Sequence, residues 1–159
     1  MLEKAILWRY SSHQETTDYQ FGFKGGHSTD MCVFTLKQVV DFYYTQSSPV
    51  YMCFLDASKA FDKINHWTLF SKLINRKVPD NIVRILLVWY RTQSCIIRWG
   101  NAHSKPFSVS NGVRQGGILS PLLFNIYMND LSLKLMSLRT GCNVNGVQMN
   151  HLFFADDSV

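Results

Sequence analysis

Apolar residues recur along the chain with helical spacing in some stretches and as short unbroken runs in others. Leu2, Ile6, Leu7 and Tyr10 predict a first short helix. A turn-rich segment follows, Phe21-Gly22-Phe23-Lys24-Gly25-Gly26, after which Ser28 or Thr29 is placed to cap a second helix. Its apolar stripe would be Met31, Phe34, Leu36, Val39, Val40 and Tyr43, and Ser47-Ser48-Pro49 would end it. Residues 50–55 form a nearly all-apolar run, the pattern of a strand covered on both faces, and Asp56 stands at its carboxyl end.

A further helix is expected over residues 60–76, burying Phe61, Ile64, Trp67, Phe70 and Leu73 or Ile74. Pro79 suits the first turn of the next helix, which carries Ile82, Ile85, Leu86 and Trp89. Two strands are expected at 95–99 and 106–109, with Gly100-Asn101 turning between them. Ser120-Pro121 then reads as a cap and first-turn proline for a helix with Leu122, Leu123, Ile126, Tyr127 and Leu131. Asn145-Gly146 signals a hairpin whose return strand would run over 148–155. Strands and helices mix without strict alternation, which predicts an α+β fold, an antiparallel sheet with helices packed on one face. No internal repeat or linker composition marks a domain boundary.

Composition narrows the class. A chain of 159 residues, 47% hydrophobic and 17% charged, is long enough for one domain with a real core and too apolar for disorder. No apolar stretch approaches the roughly 20 residues of a membrane span. Glu3, Lys4 and Arg9 interrupt the N-terminal apolar face, so no leader pattern is visible and an intracellular, non-secreted location is expected. Cys32, Cys53, Cys95 and Cys142 are far apart and read as buried, reduced thiols, not zinc ligands. The net charge of +5 permits a polyanionic partner.

The chemistry concentrates at strand ends. Leu152-Phe153-Phe154-Ala155-Asp156-Asp157 carries two carboxylates directly after an apolar strand, and such charges must be solvated, paired or bound to a cation. Alone, the pair reads as a solvated turn. Asp56 ends another apolar run 100 residues upstream. Adjacent strands would bring the carboxylates to one sheet edge, where hard oxygens suit Mg²⁺ and phosphate completes its octahedron. The third element is Asn111-Gly112-Val113-Arg114-Gln115-Gly116-Gly117, a glycine-bearing loop entering a helix. Its backbone N–H groups favour a phosphate or a closely approaching nucleotide, although a plain strand-to-helix turn has the same sequence signature.

Together these stretches resemble the reverse transcriptases of non-LTR (LINE-like) retrotransposons. Phe54-Leu55-Asp56-Ala57-Ser58-Lys59-Ala60-Phe61-Asp62 resembles that family's first carboxylate motif. Gly112 through Gln115-Gly116-Gly117-Ile118-Leu119-Ser120-Pro121 to Asn125 resembles its central Gln-Gly…Ser-Pro motif. Phe154-Ala155-Asp156-Asp157 resembles its (Tyr/Phe)-x-Asp-Asp box, and Gln20-Phe21-Gly22-Phe23-Lys24 is similar to an upstream segment. Phe154 stands where tyrosine is commoner, and Lys24 where arginine is frequent.

The resemblance implies a polymerase palm-like sheet in a partial reverse transcriptase domain over residues 1–159, with a remnant of the fingers and without the thumb. The second arm of the catalytic hairpin would also be absent, leaving an unpaired strand edge and a truncated fragment expected to be inactive alone. It implies RNA-directed DNA polymerisation with two Mg²⁺ ions (or Mn²⁺), an RNA template, a DNA primer and a deoxynucleotide, in the nucleus or cytoplasm and away from membranes. Asp56, Asp156 and Asp157 would be catalytic metal ligands, and Ala57 would offer its carbonyl to the nucleotide-bound ion. Phe61 matches the family's sugar gate, although it also falls on the apolar stripe of its predicted helix. Gln115 and Gly116 would meet the incoming nucleotide. Lys24, Arg98 and Arg114 are candidates for nucleic-acid contact, together with Arg76, Lys77 and the ring of Trp99. Lys59 reads equally as a cation beside nucleic acid or a solvated helix residue, and Asp62 as a cap or charge at the helix start in preference to a metal ligand. Two other readings fit the same residues: an inactive retroelement remnant that binds nucleic acid or is vestigial, and an RNA-dependent RNA polymerase. The Ala60-Phe61 and Gln115-Gly116 contexts match the latter less well.

Overall fold

The computed structural model describes residues 2–10 and 15–159. In chain order the elements are α1 (Leu2–Arg9), α2 (Thr29–Thr45), β1 (Leu55–Asp56), a 3₁₀ turn (Phe61–Lys63), α3 (His66–Asn75) and α4 (Asp80–Arg91). There follow β2 (Ser94–Cys95), β3 (Arg98–Trp99), β4 (Ala102–His103), β5 (Phe107–Ser108), α5 (Ser120–Ser137), β6 (Cys142–Val144), β7 (Val147–Met149), β8 (Phe153–Phe154) and β9 (Asp157–Ser158). Helices and small antiparallel sheets make this an α+β fold.

The sequence shows no boundary, yet the chain forms two compact units from interleaved segments. One gathers α1 with Lys59–Leu123, and the other gathers Glu15–Ser58 with Phe124–Val159. The core of the first is apolar: Ile6, Ile64, Leu69, Leu73, Ile82, Leu86 and Val113 are buried, drawn from α1, the extended link before α3, α3, α4 and the loop after β5. The interior of the second mixes Val39, Phe124, Ile126 and Phe153 with buried Gln20, Asn125, Asn129, Ser132 and His151.

Several local signals act as their chemistry predicts. Ser28 Oγ accepts from the Met31 N–H at 3.2 Å and caps α2, and Asn65 Oδ1 accepts from Thr68 N–H to cap α3. Asn145 and Gly146 both take positive φ in the turn that pairs β6 with β7, the twist a two-residue hairpin needs.

Other expectations give way. The helix expected over 60–76 is interrupted, because Ile64 and Asn65 turn extended between the 3₁₀ turn and α3. That break rotates Trp67 into solvent, 77% exposed. Of the α2 stripe only Val39 is buried, while Met31 and Phe34 are exposed. Residues 50–55 do not form a strand covered on both faces: only Leu55 and Asp56 pair, and Phe54 is 69% exposed. The return strand expected over 148–155 ends at Met149, and a separate hairpin, β8–β9, carries the aspartates. Cys53 and Cys95 are exposed and all four cysteines are free thiols. Among the described residues, no helix is long and apolar enough to cross a membrane.

Candidate active site

In the second unit, β1, β9 and β8 form an antiparallel sheet in that order. Asp56 lies directly opposite Asp157, Leu55 opposite Ser158, Phe154 opposite Asp157 and Phe153 opposite Ser158. Opposite residues in an antiparallel pair share a face, so Asp56, Asp157 and Phe154 point one way and Leu55, Ser158 and Phe153 the other. The latter three line an apolar hollow of about 470 Å³ with Leu36, Val39 and Leu131. This division fixes the register, because a slip of one residue would drive a carboxylate into the hollow.

The hairpin arm expected to be missing is present. Strand β9 pairs with both neighbours, and Leu152 and Val159 exchange backbone hydrogen bonds at 2.8 and 3.0 Å. Asp56 is brought beside β9, the strand after the turn, and not beside β8. Asp156 occupies the turn and is half-exposed, while Ala155 before it takes φ 57. Such a left-handed backbone at an alanine costs about 1–2 kcal/mol and needs its surroundings to hold it.

Those surroundings come from residues 19–22. Phe21 N–H donates to Phe153 O at 2.8 Å and Phe153 N–H donates to Tyr19 O at 2.7 Å. Between them, the buried carboxamide of Gln20 accepts from Ala155 N–H at 3.0 Å and from Gly22 N–H at 2.8 Å, and donates to Ala155 O at 3.4 Å. Gly22 packs so closely that a Cβ there would lie 2.3 Å from Ala155 N, and its carbonyl accepts from Asn125 Nδ2 at 2.8 Å.

No Lys, Arg or His among the described residues lies within ion-pair distance of Asp56, Asp156 or Asp157. Hard, water-facing oxygens without a protein cation suit a divalent ion such as Mg²⁺, which takes one or two carboxylates and fills its remaining positions with water and phosphate. Among the described residues, no group of three or more His, Cys, Asp and Glu is gathered closely enough to hold a metal by itself. Two of the three aspartates, Asp56 and Asp157, thus stand face to face, and the described residues do not gather all three into one cluster. Ala57 follows β1 and is exposed.

The first unit holds the glycine loop. Gln115 Nε2 donates to Asp62 Oδ1 at 2.9 Å, tying the loop to the 3₁₀ turn, and the side chain is exposed, its carbonyl oxygen without a hydrogen-bond partner among the described residues. Gly116 takes φ 79 with open space where a Cβ would stand. The expected anion contact at the helix start is made from within: the Glu3 carboxylate accepts from Ile118 N–H at 2.5 Å. Ser120 does not cap α5 with its hydroxyl, which donates to Arg114 O at 2.5 Å. Phe61 is half-buried in the 3₁₀ turn and its carbonyl accepts from Val113 N–H.

Of the basic candidates, Lys24 directs its ammonium to Thr16 O, Thr17 O and Asp18 Oδ1 at 3.0–3.1 Å, which uses all three donors. The Arg114 guanidinium stacks 4.4 Å from the Trp89 ring centroid. Arg98 stays exposed on β3 beside Trp99, which is 85% exposed.

The family model for reverse transcriptase (RNA-dependent DNA polymerase) matches residues 1–159. The chain belongs to the reverse transcriptase family. It is 33% identical over 145 residues to a probable RNA-directed DNA polymerase from transposon X-element of Drosophila melanogaster, covering 87% of this chain and 16% of that protein. To the probable RNA-directed DNA polymerase from transposon BS of the same species it is 32% identical over 114 residues, 72% of this chain and 12% of that protein. To the RNA-directed DNA polymerase from mobile element jockey of Drosophila funebris it is 31% identical over 138 residues, 82% of this chain and 15% of that protein. The chain thus spans well under a fifth of the length of these relatives.

Within this reverse transcriptase chain, sequence reasoning leaves Gln20 without a role, although a lone amide between Tyr19 and Phe21 signals a buried polar group needing partners. A second polar chain was also invisible. Ser132 Oγ and His151 Nε2 lie 2.6 Å apart, and His151 Nδ1 lies 2.6 Å from Asn150 Oδ1. An amide oxygen only accepts, so Nδ1 carries the proton, Nε2 accepts from Ser132, and Ser132 accepts from Thr17 Oγ1 at 2.5 Å. These are the partners of a hydrolytic triad, but Ser132 is 1% exposed, so no substrate reaches it and the chain serves as an internal latch.

Proposed function

We propose that this chain is the nucleotidyl-transfer core of an RNA-directed DNA polymerase, adding deoxynucleotides to a primer 3′-hydroxyl opposite an RNA template. The observation that carries the reading is Asp56 in register with Asp157, with Asp156 in the adjoining turn and no cationic side chain among the described residues beside any of them. Asp56, Asp156 and Asp157 would hold two Mg²⁺ ions, or Mn²⁺, with the carbonyl of Ala57 turned to the nucleotide. Bound there, divalent ions supply activation of the attacking hydroxyl and neutralisation of the leaving pyrophosphate.

The remaining work falls to the chain's own groups. The sheet register holds the carboxylates on one face, away from the apolar hollow. The open space over Gly116 admits a closely approaching nucleotide, and the free carbonyl oxygen of Gln115 offers it an acceptor. Phe61, half-exposed and not part of the core, would crowd a 2′-hydroxyl and favour deoxynucleotides. Arg98 and Arg114 would meet nucleic acid, while Lys24 would do so only by releasing its bonds to residues 16–18. In architecture, the three-stranded sheet of the second unit corresponds to a polymerase palm.

Primer extension on an RNA template by a longer polypeptide carrying this chain tests the reading. Asp156→Asn should abolish Mg²⁺-dependent extension, and full activity after that substitution removes the assignment. Phe61→Ala should raise the ratio of ribonucleotide to deoxynucleotide incorporated, and an unchanged ratio removes the gate.

A further inference from the structure

Charge is divided unequally between the two units. Residues 1–14 and 59–123, the first unit, carry twelve Lys and Arg against three Asp and Glu, a formal charge of +9. The second carries four against eight, or −4. From Asn81 to Asn129 the sequence has no acidic residue at all. A polyanion is therefore drawn to the first unit, which does not contain the aspartates.

That unit also contains a cavity of about 290 Å³ between α3, the end of α4 and residues 108–111. Its size lies at the small end of ligand sites, roughly 300–1,000 Å³, enough for one ring system and not for a peptide helix. The walls include Trp67, Phe70 and Tyr90, with the hydroxyls of Ser108 and Ser110 and the carboxamide of Asn111 among them. His66 is fixed by its Nε2–H bond to Gly112 O at 2.7 Å and packs edge-on to Tyr90 at 5.0 Å between centroids. Aromatic walls set steeply to one another, short polar groups at the edge and the guanidinium of Arg91, which has no ion-pair partner among the described residues, together match an aromatic ring bearing hydrogen-bonding edges and an attached anion.

We propose that this cavity seats an unpaired base of single-stranded nucleic acid, stacked on Trp67, with Arg91 on the adjoining phosphate. The proposal rests on the polymerase reading for its partner but concerns a place that reading does not use. Stacking on an aromatic side chain tolerates any base and requires a single strand. The exposed ribbon of residues 94–108, with Arg98, Trp99 and Lys105 and no acid, continues the same surface from Ser108 outward.

The test measures binding of the whole chain to a short fluorescein-labelled single-stranded RNA and to the same RNA as a duplex, by anisotropy at several salt concentrations. Trp67→Ala should weaken single-strand binding about five-fold or more while leaving the salt slope unchanged, and Trp67→Phe should restore it. Arg91→Gln should weaken binding and reduce the slope by about one. An iodouridine-substituted RNA should crosslink to peptides containing Trp67 or Tyr90. Unchanged affinity in Trp67→Ala, with the parent still binding elsewhere, overturns the cavity proposal and leaves the polymerase reading standing. Failure of the parent chain to bind any single strand overturns the cavity proposal alone, because the polymerase reading is decided by primer extension in the longer polypeptide. A change in self-association on sedimentation, with RNA affinity intact, marks the face as a protein contact and also overturns the proposal.

Discussion

Gln20 grips the backbone of Ala155 at both its N–H and its C=O, 135 positions along the chain, and thereby sets the turn that presents Asp156. Gln20→Leu keeps the volume but leaves the N–H groups of Ala155 and Gly22 without acceptors inside the protein. Each buried orphan costs about 1–3 kcal/mol. Thermal unfolding should show a midpoint roughly 4–8 °C lower for a loss of about 2 kcal/mol, and the Ala155 amide should exchange faster with solvent than in the parent chain. A protected Ala155 amide in the variant would refute the role.

Two glycines three residues apart make a matched comparison. A methyl at Gly22 meets the Ala155 backbone at 2.3 Å, whereas at Gly25 it meets nothing within 4 Å. Gly22→Ala should therefore cost about 1–3 kcal/mol or more as the hairpin is pushed away. Gly25→Ala should be neutral or gain up to about 1 kcal/mol by restricting the unfolded chain. Equal denaturant midpoints for the two variants would contradict the close packing.

Facing carboxylates oppose the fold that displays them. Asp157→Asn removes a like charge directly across from Asp56 and should raise the melting temperature when no divalent ion is present. Mg²⁺ should stabilise the parent chain by about 1.4 kcal/mol at ten times its Kd and stabilise the variant much less. Equal Mg²⁺-induced shifts in the two proteins would separate Asp157 from cation binding.

Burial pushes the His151 imidazole below its ordinary value of 6.5. The folded chain holds it neutral between Ser132, Asn150 and the rings of Tyr19 and Phe153. The unfolded state then binds the extra proton first. The contribution is complete above about pH 6.5 and is lost as pH falls toward the lower folded value, at up to about 1.4 kcal/mol per pH unit. Denaturation midpoints between neutral and acidic pH should fall for the parent chain, and His151→Gln should flatten that part of the profile.

Local chemistry was legible wherever a residue acts on its own neighbours. Ser28, Asn145 and Gly146 do what their side chains or backbones dictate within three or four positions. The apolar run before Asp56 misled because periodicity tells which residues share a face and not whether anything covers it. Ser120 misled because its hydroxyl had two possible partners, and the Arg114 carbonyl won over the helix amides. The three aspartates could be read as a set, but their pairing through β9 depends on the turn at Ala155. That turn is held by Gln20, which the sequence separates from it by most of the chain.

The alternation along β9 has a consequence for how such a chain tolerates change. Side chains at 157 and 158 are dealt to opposite faces by position alone, so substitutions there alter chemistry one group at a time. Gain or loss of a single codon within the segment would instead turn every later side chain over, placing Ser158 among the acids and Asp157 against Val39 and Leu131. Drift in this stretch can rewrite letters, but it cannot change their count.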